Sequence, residues 1–383
     1  MPRKRIAIFD HEVTERSPSG SCNLRLLEEL CGEFDFTVFA TAFTNPNPAR
    51  IRWVRVPAIR RPLVARYLSY YAGSTAKFTL DQVRQGSYDL VQTVEGYTRE
   101  SDIGYIHFCH RAYLRRAPDD AFAGGVRGAV RRLDHTVRAA GERRSLKVPR
   151  LLVVPSPGLR DELEEEHRID PSRIRVVNNP LQLARFARSA DFARDRTRAR
   201  LETSPEETLL VFVALGHFER KGLPELLEAL SQADAHVRLA VVGGTEDLVR
   251  AYRARADRIG VSSRVSFVGM QDDVRPFLWA ADAYASPSAY ETFSLGLHQA
   301  AAAGLPLVVM PLRGVASFFR DGVHGLAITR DPRDIATALN AIAQMDPERR
   351  RAMGTNAQSA VADLDVPKFA DAWRAVYREA LPA

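Results

Sequence analysis

Two short stretches hold the side chains best suited to chemistry. In "ALGHFERKGLPELLEAL" an apolar run ends at Leu215, a loop bounded by Gly216 and Gly222 carries Arg220 and Lys221, and a helical pattern follows. Adjacent cations at a helix entrance meet a diphosphate with lysine's point charge and arginine's paired hydrogen bonds. In "SPSAYETFSLGLHQA", Glu291 lies in the loop beyond another strand-like run, where open α/β sheets bind ligands. Gln299 follows eight residues later, and its amide can both donate and accept. Each feature also has an ordinary reading: a solvated basic turn, a carboxylate facing a helix dipole, a surface amide.

The run "HFCH" sets His107, Cys109 and His110 close together. Histidine and cysteine can hold zinc, but no second ligand cluster accompanies them, so no metal is expected. His107 also reads as an ordinary core or strand-end histidine. Asp134 and Glu142 read as partners of nearby arginines. The acidic pair Asp119–Asp120 lies in an Arg-rich loop, and Gln271–Asp273 begins a helix, so neither makes a metal-binding DxD site. There is no G-x-G-x-x-G dinucleotide loop and no G-x-x-x-x-G-K-[ST] phosphate loop. Other glycine-containing strand-to-helix loops can still hold phosphate, because a helix N-terminus presents unpaired N–H groups.

The elements that must position these residues alternate strand-like and helical patterns through both halves, which predicts α/β architecture with parallel sheets. In the first half, "RIAIFD", "FTVFA", "IRWVRV", "LVQTV", "IGYIHF", "RLLVVPS" and "RIRVVNN" read as strands. Helices are expected over 21–34, from about 126 to 145, and in "GLRDELEEEH". Asn178, Asn179 and Pro180 form a turn signal, which places a domain boundary there. The second half offers five strands, "TLLVFVAL", "VRLAVVGG", "VSFVG", "AYASPS" and "PLVVM", with helices between them, as in an open doubly wound sheet. The expected division is 1–180, 181–365 and a last amphipathic helix over 366–383 that returns towards the first domain. Two Rossmann-like domains facing an interdomain cleft are predicted.

At 383 residues, 45% hydrophobic and 26% charged, the chain has the composition of a globular protein of two domains. The apolar run after "MPRKR" is too short for a signal peptide, and no window suits a membrane span. Three cysteines without CxxC spacing fit a reducing compartment, so a cytoplasmic location is expected. Residues 1–180 carry 29 Lys and Arg against 22 Asp and Glu, and the rest of the chain is balanced. No acid occurs between Asp35 and Asp81, where Arg50, Arg52, Arg55, Arg60, Arg61, Arg66 and Lys77 alternate with Trp53, Tyr67, Tyr70 and Tyr71. Basic residues interleaved with aromatics suit an anionic surface, although a solvated loop and helix face explain them equally. No nucleic-acid motif accompanies the charge, so no nucleic-acid partner is expected.

The second half resembles the donor-binding domain of family 4 glycosyltransferases, GT-B enzymes that transfer a sugar from a nucleotide donor with retention of configuration. The likeness runs through "VALGHFERKGLPELLEAL", "AVVGG", "VSFVGMQDDV", "AADAYASPSAYETFSLGLHQAAAAGLPLVV" and "DGVHGLAI", and extends upstream through "LLVVPSPGLRDEL" and "RIRVVNNPLQLARF". It implies that Lys221 and Arg220 neutralise the donor diphosphate, with Gly216 in the same loop. Glu291 matches the first carboxylate of the family's E-x7-E motif, which contacts the transferring sugar. Phe293, Ser294 and Leu295 would offer backbone N–H groups to the phosphates, and the loops at Gly244 and Met270 would meet the base. Gln299 occupies the second glutamate position, which usually binds ribose. Gly20 in "SPSGSCNL" matches the glycine-rich loop after the first strand, and His107 the histidine that contacts the sugar.

The chain departs from the family at His217, where an arginine is usual, at the single glycine of the first loop, and at Gln299. The resemblance implies a UDP- or GDP-sugar donor, a hydroxyl acceptor that is lipid-linked or a soluble metabolite, and no cofactor or metal. A cell-envelope or exopolysaccharide role follows, with peripheral contact at the inner membrane face through the basic first half. A nucleotide-sugar epimerase and a non-catalytic sugar-nucleotide binder are the rival readings.

Overall fold

The computed structural model describes residues 3–59, 63–116 and 125–381. They form two compact units, one of residues 3–116, 125–180 and 364–381, the other of 181–363.

In the first unit seven parallel strands are ordered β5-β3-β1-β6-β7-β8-β9. They are β1 (Arg5–Phe9), β3 (Asp35–Ala40), β5 (Ile51–Arg55), β6 (Leu90–Val94), β7 (Ile103–Tyr105), β8 (Leu151–Val154) and β9 (Ile174–Val176). Two very short strands, β2 (Glu12–Val13) and β4 (Ala42–Phe43), pair beside them. The central strands are buried on both faces, which explains why "IAIF" reads as an unbroken apolar run and "LVQTV" as an apolar and β-branched one interrupted only by Gln92. The tract of mixed arginines and aromatics that follows β5 contains a 23-residue helix, Leu63–Gln85, which buries Tyr70 against the sheet core. Arg60 and Arg61 lie outside the described residues.

The helix Val366–Ala380 belongs to this first unit, with Phe369, Trp373 and Tyr377 buried in the same core as Ile6, Phe9 and Phe36. A chain of buried hydrogen bonds anchors it. Tyr377 Oη donates to Gln92 Oε1 at 2.7 Å, Gln92 Nε2 to Asn23 Oδ1 at 3.0 Å, and Asn23 Nδ2 to Asp10 Oδ2 at 2.8 Å. Each buried amide is thereby satisfied, which is the condition for keeping polar groups in a core.

The second unit is built on six parallel strands ordered β12-β11-β10-β13-β14-β15. These are β10 (Thr208–Val213), β11 (Val237–Val242), β12 (Val265–Gly269), β13 (Ala283–Ser286), β14 (Leu307–Val309) and β15 (Gly325–Ala327). The sheet has one strand more than the five expected. β15 is three residues long and begins at Gly325, where a Cβ would lie 1.9 Å from the Leu307 carbonyl oxygen, so only glycine permits this pairing. The strand order reverses between β10 and β13, the topological switch point at which open α/β sheets hold ligands beyond their carboxyl ends.

Candidate functional site

The switch point of the second unit gathers the residues singled out in both chemical stretches. After β10 the chain reaches His217 and Gly222, both left-handed with φ 54° and 81°, and between them Phe218–Lys221 make one helical turn. Arg220 and Lys221 were expected in an open loop; the turn instead fixes them on a helical backbone that runs into the helix Leu223–Gln232. Gly222 is required because a Cβ there would lie 2.2 Å from the Pro287 carbonyl oxygen. The loops after β10 and β13 therefore press together. They are also tied by the Ala289 N–H to the Arg220 carbonyl at 2.8 Å, and by the Arg220 guanidinium to the Tyr290 carbonyl at 3.5 Å.

Across that contact Lys221 Nζ meets Glu291 Oε1 at 2.6 Å, although 70 residues separate them. Ser288 Oγ donates to the same oxygen at 2.8 Å and is itself 3.0 Å from Ser286 Oγ. Glu291 is only 6% exposed. Burial pushes its carboxyl up, but the charges of Lys221 and Arg220 and the bonds from Lys221 and Ser288 outweigh this, so its pKa falls below the ordinary value. Burial is also the largest influence on Lys221. With Arg220 beside it, burial lowers the ammonium pKa despite Glu291. The half-buried lysine and buried carboxylate therefore hold each other in their charged forms.

Glu291 leads into Phe293, Ser294 and Leu295. Ser294 is left-handed, φ 61°, and precedes the helix Leu295–Ala302. That conformation costs about 1 kcal/mol or more in a residue with a Cβ, so something must hold it. His298 does so: its Nδ1 lies 2.9 Å from the Ser294 carbonyl, which fixes Nδ1 as the protonated nitrogen, and its ring stacks on Phe293 at 4.0 Å and 3°. Burial lowers the His298 pKa to about 4, so the ring is neutral at pH 7. Sequence reasoning passed over His298 and Ser288; a polar residue one position before Gln299, inside an otherwise apolar helix, was the available signal. Gln299 is half-buried in the second turn of the same helix. Gly216 lies between β10 and His217; Gly244, at φ 85°, faces the Phe218 ring; Met270, 44% exposed, follows β12. All three stand beyond the carboxyl ends of their strands.

In the first unit the candidates are placed differently. Gly20 was expected in a loop but lies inside the helix Pro18–Leu30, where Ser17 Oγ caps its N–H at 3.2 Å and a Cβ would meet the Glu12 carbonyl oxygen at 1.9 Å. His107 follows β7, packed on Tyr105 at 4.1 Å, and burial lowers its pKa to about 3. His110 begins the helix His110–Arg116, with Nδ1 2.8 Å from that of His135, and burial pushes it to about 2. Asp134 pairs with Arg138 at 3.2 Å, as an arginine partner should.

Among the described residues Glu142 forms no ion pair with arginine, contrary to expectation. Its buried carboxylate accepts the N–H groups of His110 and Arg111 at 2.6 and 3.1 Å, stabilising that helix start, and faces His167 Nε2 at 2.8 Å. The donor atoms gathered near Cys109 are consequently those of Glu142 and His167, not those of His107 and His110. Asp119 and Asp120 lie outside the described residues. Asp273 caps the Arg275 N–H at 3.0 Å. Glu95 was not anticipated; it directly follows β6 with φ 50° and approaches Arg138 at 3.4 Å. Its signal was the acid–glycine pair after "LVQTV".

Comparison with known proteins bears on both units. Residues 20–185 match the family model described as Glycosyltransferase Family 4, and residues 207–345 the model described as Glycosyl transferases group 1. A D-inositol 3-phosphate glycosyltransferase of Mycobacterium sp. (strain JLS) is 31% identical over 226 residues, covering 56% of this chain and 49% of its own. The lipopolysaccharide core biosynthesis glycosyltransferase LpsE of Rhizobium meliloti (strain 1021) is 32% identical over 178 residues, 46% of this chain and 51% of its own. The chain thus spans about half the length of these relatives. The crystal structure of Anabaena HepE in complex with UDP-glucose shares the fold, with a TM-score of 0.74 at 17% identity over 98% of this chain and 99% of that one.

Proposed function

Because the chain belongs to the family 4 glycosyltransferases and has their GT-B fold of two Rossmann-like domains, we propose that it transfers a sugar from a nucleotide donor to a hydroxyl acceptor with retention of configuration. The observation that carries this reading is the Lys221–Glu291 pair at 2.6 Å across the switch point of the second unit. UDP- and GDP-sugars are the leading donors, consistent with a structural neighbour that holds UDP-glucose.

In the proposed reaction the bond between the anomeric carbon and the donor phosphate breaks as the acceptor oxygen approaches from the same face. Negative charge grows on the departing diphosphate. Lys221, Arg220 and the N–H groups at Phe293, Ser294 and Leu295 stabilise it, because preorganised donors act most strongly where water is excluded. The acceptor proton passes to the leaving phosphate oxygen. Glu291 contacts the sugar and keeps Lys221 charged until the diphosphate arrives. His107, neutral at pH 7 because burial lowers its pKa to about 3, serves the sugar as a hydrogen-bonding group and not as an acid. Gln299 takes the ribose position. No metal or cofactor has a task in this scheme.

The acceptor belongs to cell-envelope or exopolysaccharide assembly, in keeping with LpsE among the relatives. The protein acts in the cytoplasm and touches the inner membrane face peripherally; among the described residues no helix is long and apolar enough to cross a membrane. Incubation with UDP-glucose or GDP-mannose and a bacterial lipid extract, followed by measurement of free nucleotide and labelled glycolipid, tests the reading. Transfer that requires the extract supports it. Conversion of donor alone into a second sugar nucleotide supports an epimerase and overturns it.

A further inference from the structure

A cleft of about 490 Å³ lies within the second unit, at the opposite end of its sheet from the Lys221–Glu291 pair. Its lining includes Asp282, which immediately precedes β13, and Gly304, Leu305 and Pro306, which precede β14. The cleft is thus bounded by the amino ends of strands, whereas the donor-site candidates stand beyond carboxyl ends. The helix Pro347–Ala360 forms one wall with Arg350 and Arg351, and the segment that carries Arg188 and Arg194 forms another.

Against these four guanidiniums, Asp282 is the one carboxylate among the described residues that line the cleft. That carboxylate is already occupied. Its Oδ1 accepts from Arg194 at 2.7 Å and faces Arg350 at 3.7 Å, while its Oδ2 accepts from the buried Arg198 at 3.0 Å and from the Leu209 N–H at 2.8 Å. Asp346, at the start of the wall helix, accepts instead from the N–H groups of Glu348 and Arg349. Five guanidiniums around one carboxylate leave a surplus of four positive charges, and Arg194 and Arg350 are themselves half-buried. Like charges that are gathered and partly desolvated in this way favour an anion that fills the space between them.

We propose that this cleft binds a sugar bisphosphate, at a site separate from that of the donor. Two phosphate monoesters carry about three to four negative charges near pH 7, which matches the surplus, and guanidinium forks take phosphate oxygens two at a time. Leu278, Trp279, Leu305 and Pro306 supply apolar surface against which the C–H faces of a sugar pack. Trp279 Nε1 donates to the Phe186 carbonyl at 2.7 Å, so the indole offers the cleft its ring and no hydrogen bond. Thr355 and Gln358 line the same wall with groups that bond sugar hydroxyls; Gln358 Nε2 donates to the Ala302 carbonyl at 2.8 Å, which leaves its oxygen as an acceptor. The volume is that of a small-molecule site. None of this depends on the transferase reading.

Calorimetry with fructose 1,6-bisphosphate as the probe, against fructose and against pyrophosphate, tests the site. The bisphosphate should bind about tenfold or more tightly than pyrophosphate, which has the charge without the hydroxyls, and fructose alone should not bind. Arg188→Ala combined with Arg351→Ala should weaken the bisphosphate by about tenfold or more, because each change withdraws a charge-assisted hydrogen bond. Both side chains are exposed, so the fold does not depend on them. Binding should persist in Lys221→Met combined with Glu291→Leu, which disables the donor site. Absence of bisphosphate binding, or binding undiminished in the arginine variant, overturns the proposal. Pyrophosphate that binds as tightly overturns the sugar and leaves an adventitious anion patch. Loss of binding in the Lys221, Glu291 variant overturns the separate site by placing the ligand with the donor. UDP binding measured on the same samples reports on the transferase reading independently.

Discussion

Two glutamates occupy corresponding places in the two sheets. Glu95 follows β6, the neighbour of β1, and Glu291 lies in the loop after β13, the neighbour of β10. Burial is the largest influence on both, and it pushes both carboxyls up. They nevertheless end on opposite sides of the ordinary value: Glu95 is raised and Glu291 lowered. The difference lies in how their cations are shared. Glu291 has Lys221 at 2.6 Å, Arg220 nearby and a hydroxyl from Ser288. Glu95 has Arg138 at 3.4 Å, and that guanidinium also serves Asp134, while Glu142 adds a like charge. Glu291 therefore has cations and a hydroxyl that outweigh its burial, whereas the shared guanidinium beside Glu95 does not outweigh burial and the neighbouring carboxylates.

The sharpest way to break this comparison is to remove the cation. Lys221→Ala should lower transfer by about 10²- to 10³-fold and, by leaving Glu291 buried and unpaired, destabilise the protein by about 3–5 kcal/mol in urea unfolding. Lys221→Met combined with Glu291→Leu should recover much of the stability and none of the transfer, because a buried pair replaced by apolar groups of similar size is nearly neutral. Full activity in either variant would remove the pair from the mechanism.

His298 offers a test in pH. Its folded pKa of about 4 lies below the ordinary value of 6.5, so between these values the unfolded chain binds the extra proton. Stability should fall as pH drops below 6.5, by about 1.4 kcal/mol per pH unit from this residue until about pH 4. His298→Leu should flatten that part of the urea profile. It should also raise KM for the donor, since Ser294 loses its partner; an unchanged profile would show that the ring does not hold the turn.

Glu95→Gln sharpens the contrast from the other side. Glu95 meets Arg138 at 3.4 Å, a guanidinium it shares with Asp134, so the amide should be tolerated, with a loss below about tenfold in kcat/KM, whereas Glu291→Gln should follow Lys221→Ala. Equal losses at the two positions would dissolve the distinction. The smallest effect is expected at Gln299: Gln299→Glu should strengthen nucleotide binding by a few fold, about the gain from a charged over a neutral acceptor, as isothermal calorimetry would show.

Much of the fold was legible because buried parallel strands announce themselves as apolar, β-branched runs between helical patterns. What escaped had little sequence length to carry a signal, or depended on distant contacts. β15 is three residues long, and the turn Phe218–Lys221 is four, too few for periodicity to register. Glu142 sits among arginines in sequence, yet it reaches the start of a helix 32 residues upstream, a contact no local pattern encodes. Lys221 and Glu291 were recognisable separately from residue type and from their place beyond strand ends. Their direct contact depends on Gly222 lying against Pro287, which only the packed loops reveal.

The proposed reaction depends first on the second unit binding a sugar nucleotide through the Lys221–Glu291 pair. Thermal shift against a panel of UDP-, GDP- and ADP-sugars measures this most directly. Stabilisation by one nucleotide class, absent in Lys221→Met combined with Glu291→Leu, is the predicted result. No stabilisation by any member of the panel, or stabilisation undiminished in that double variant, would contradict it.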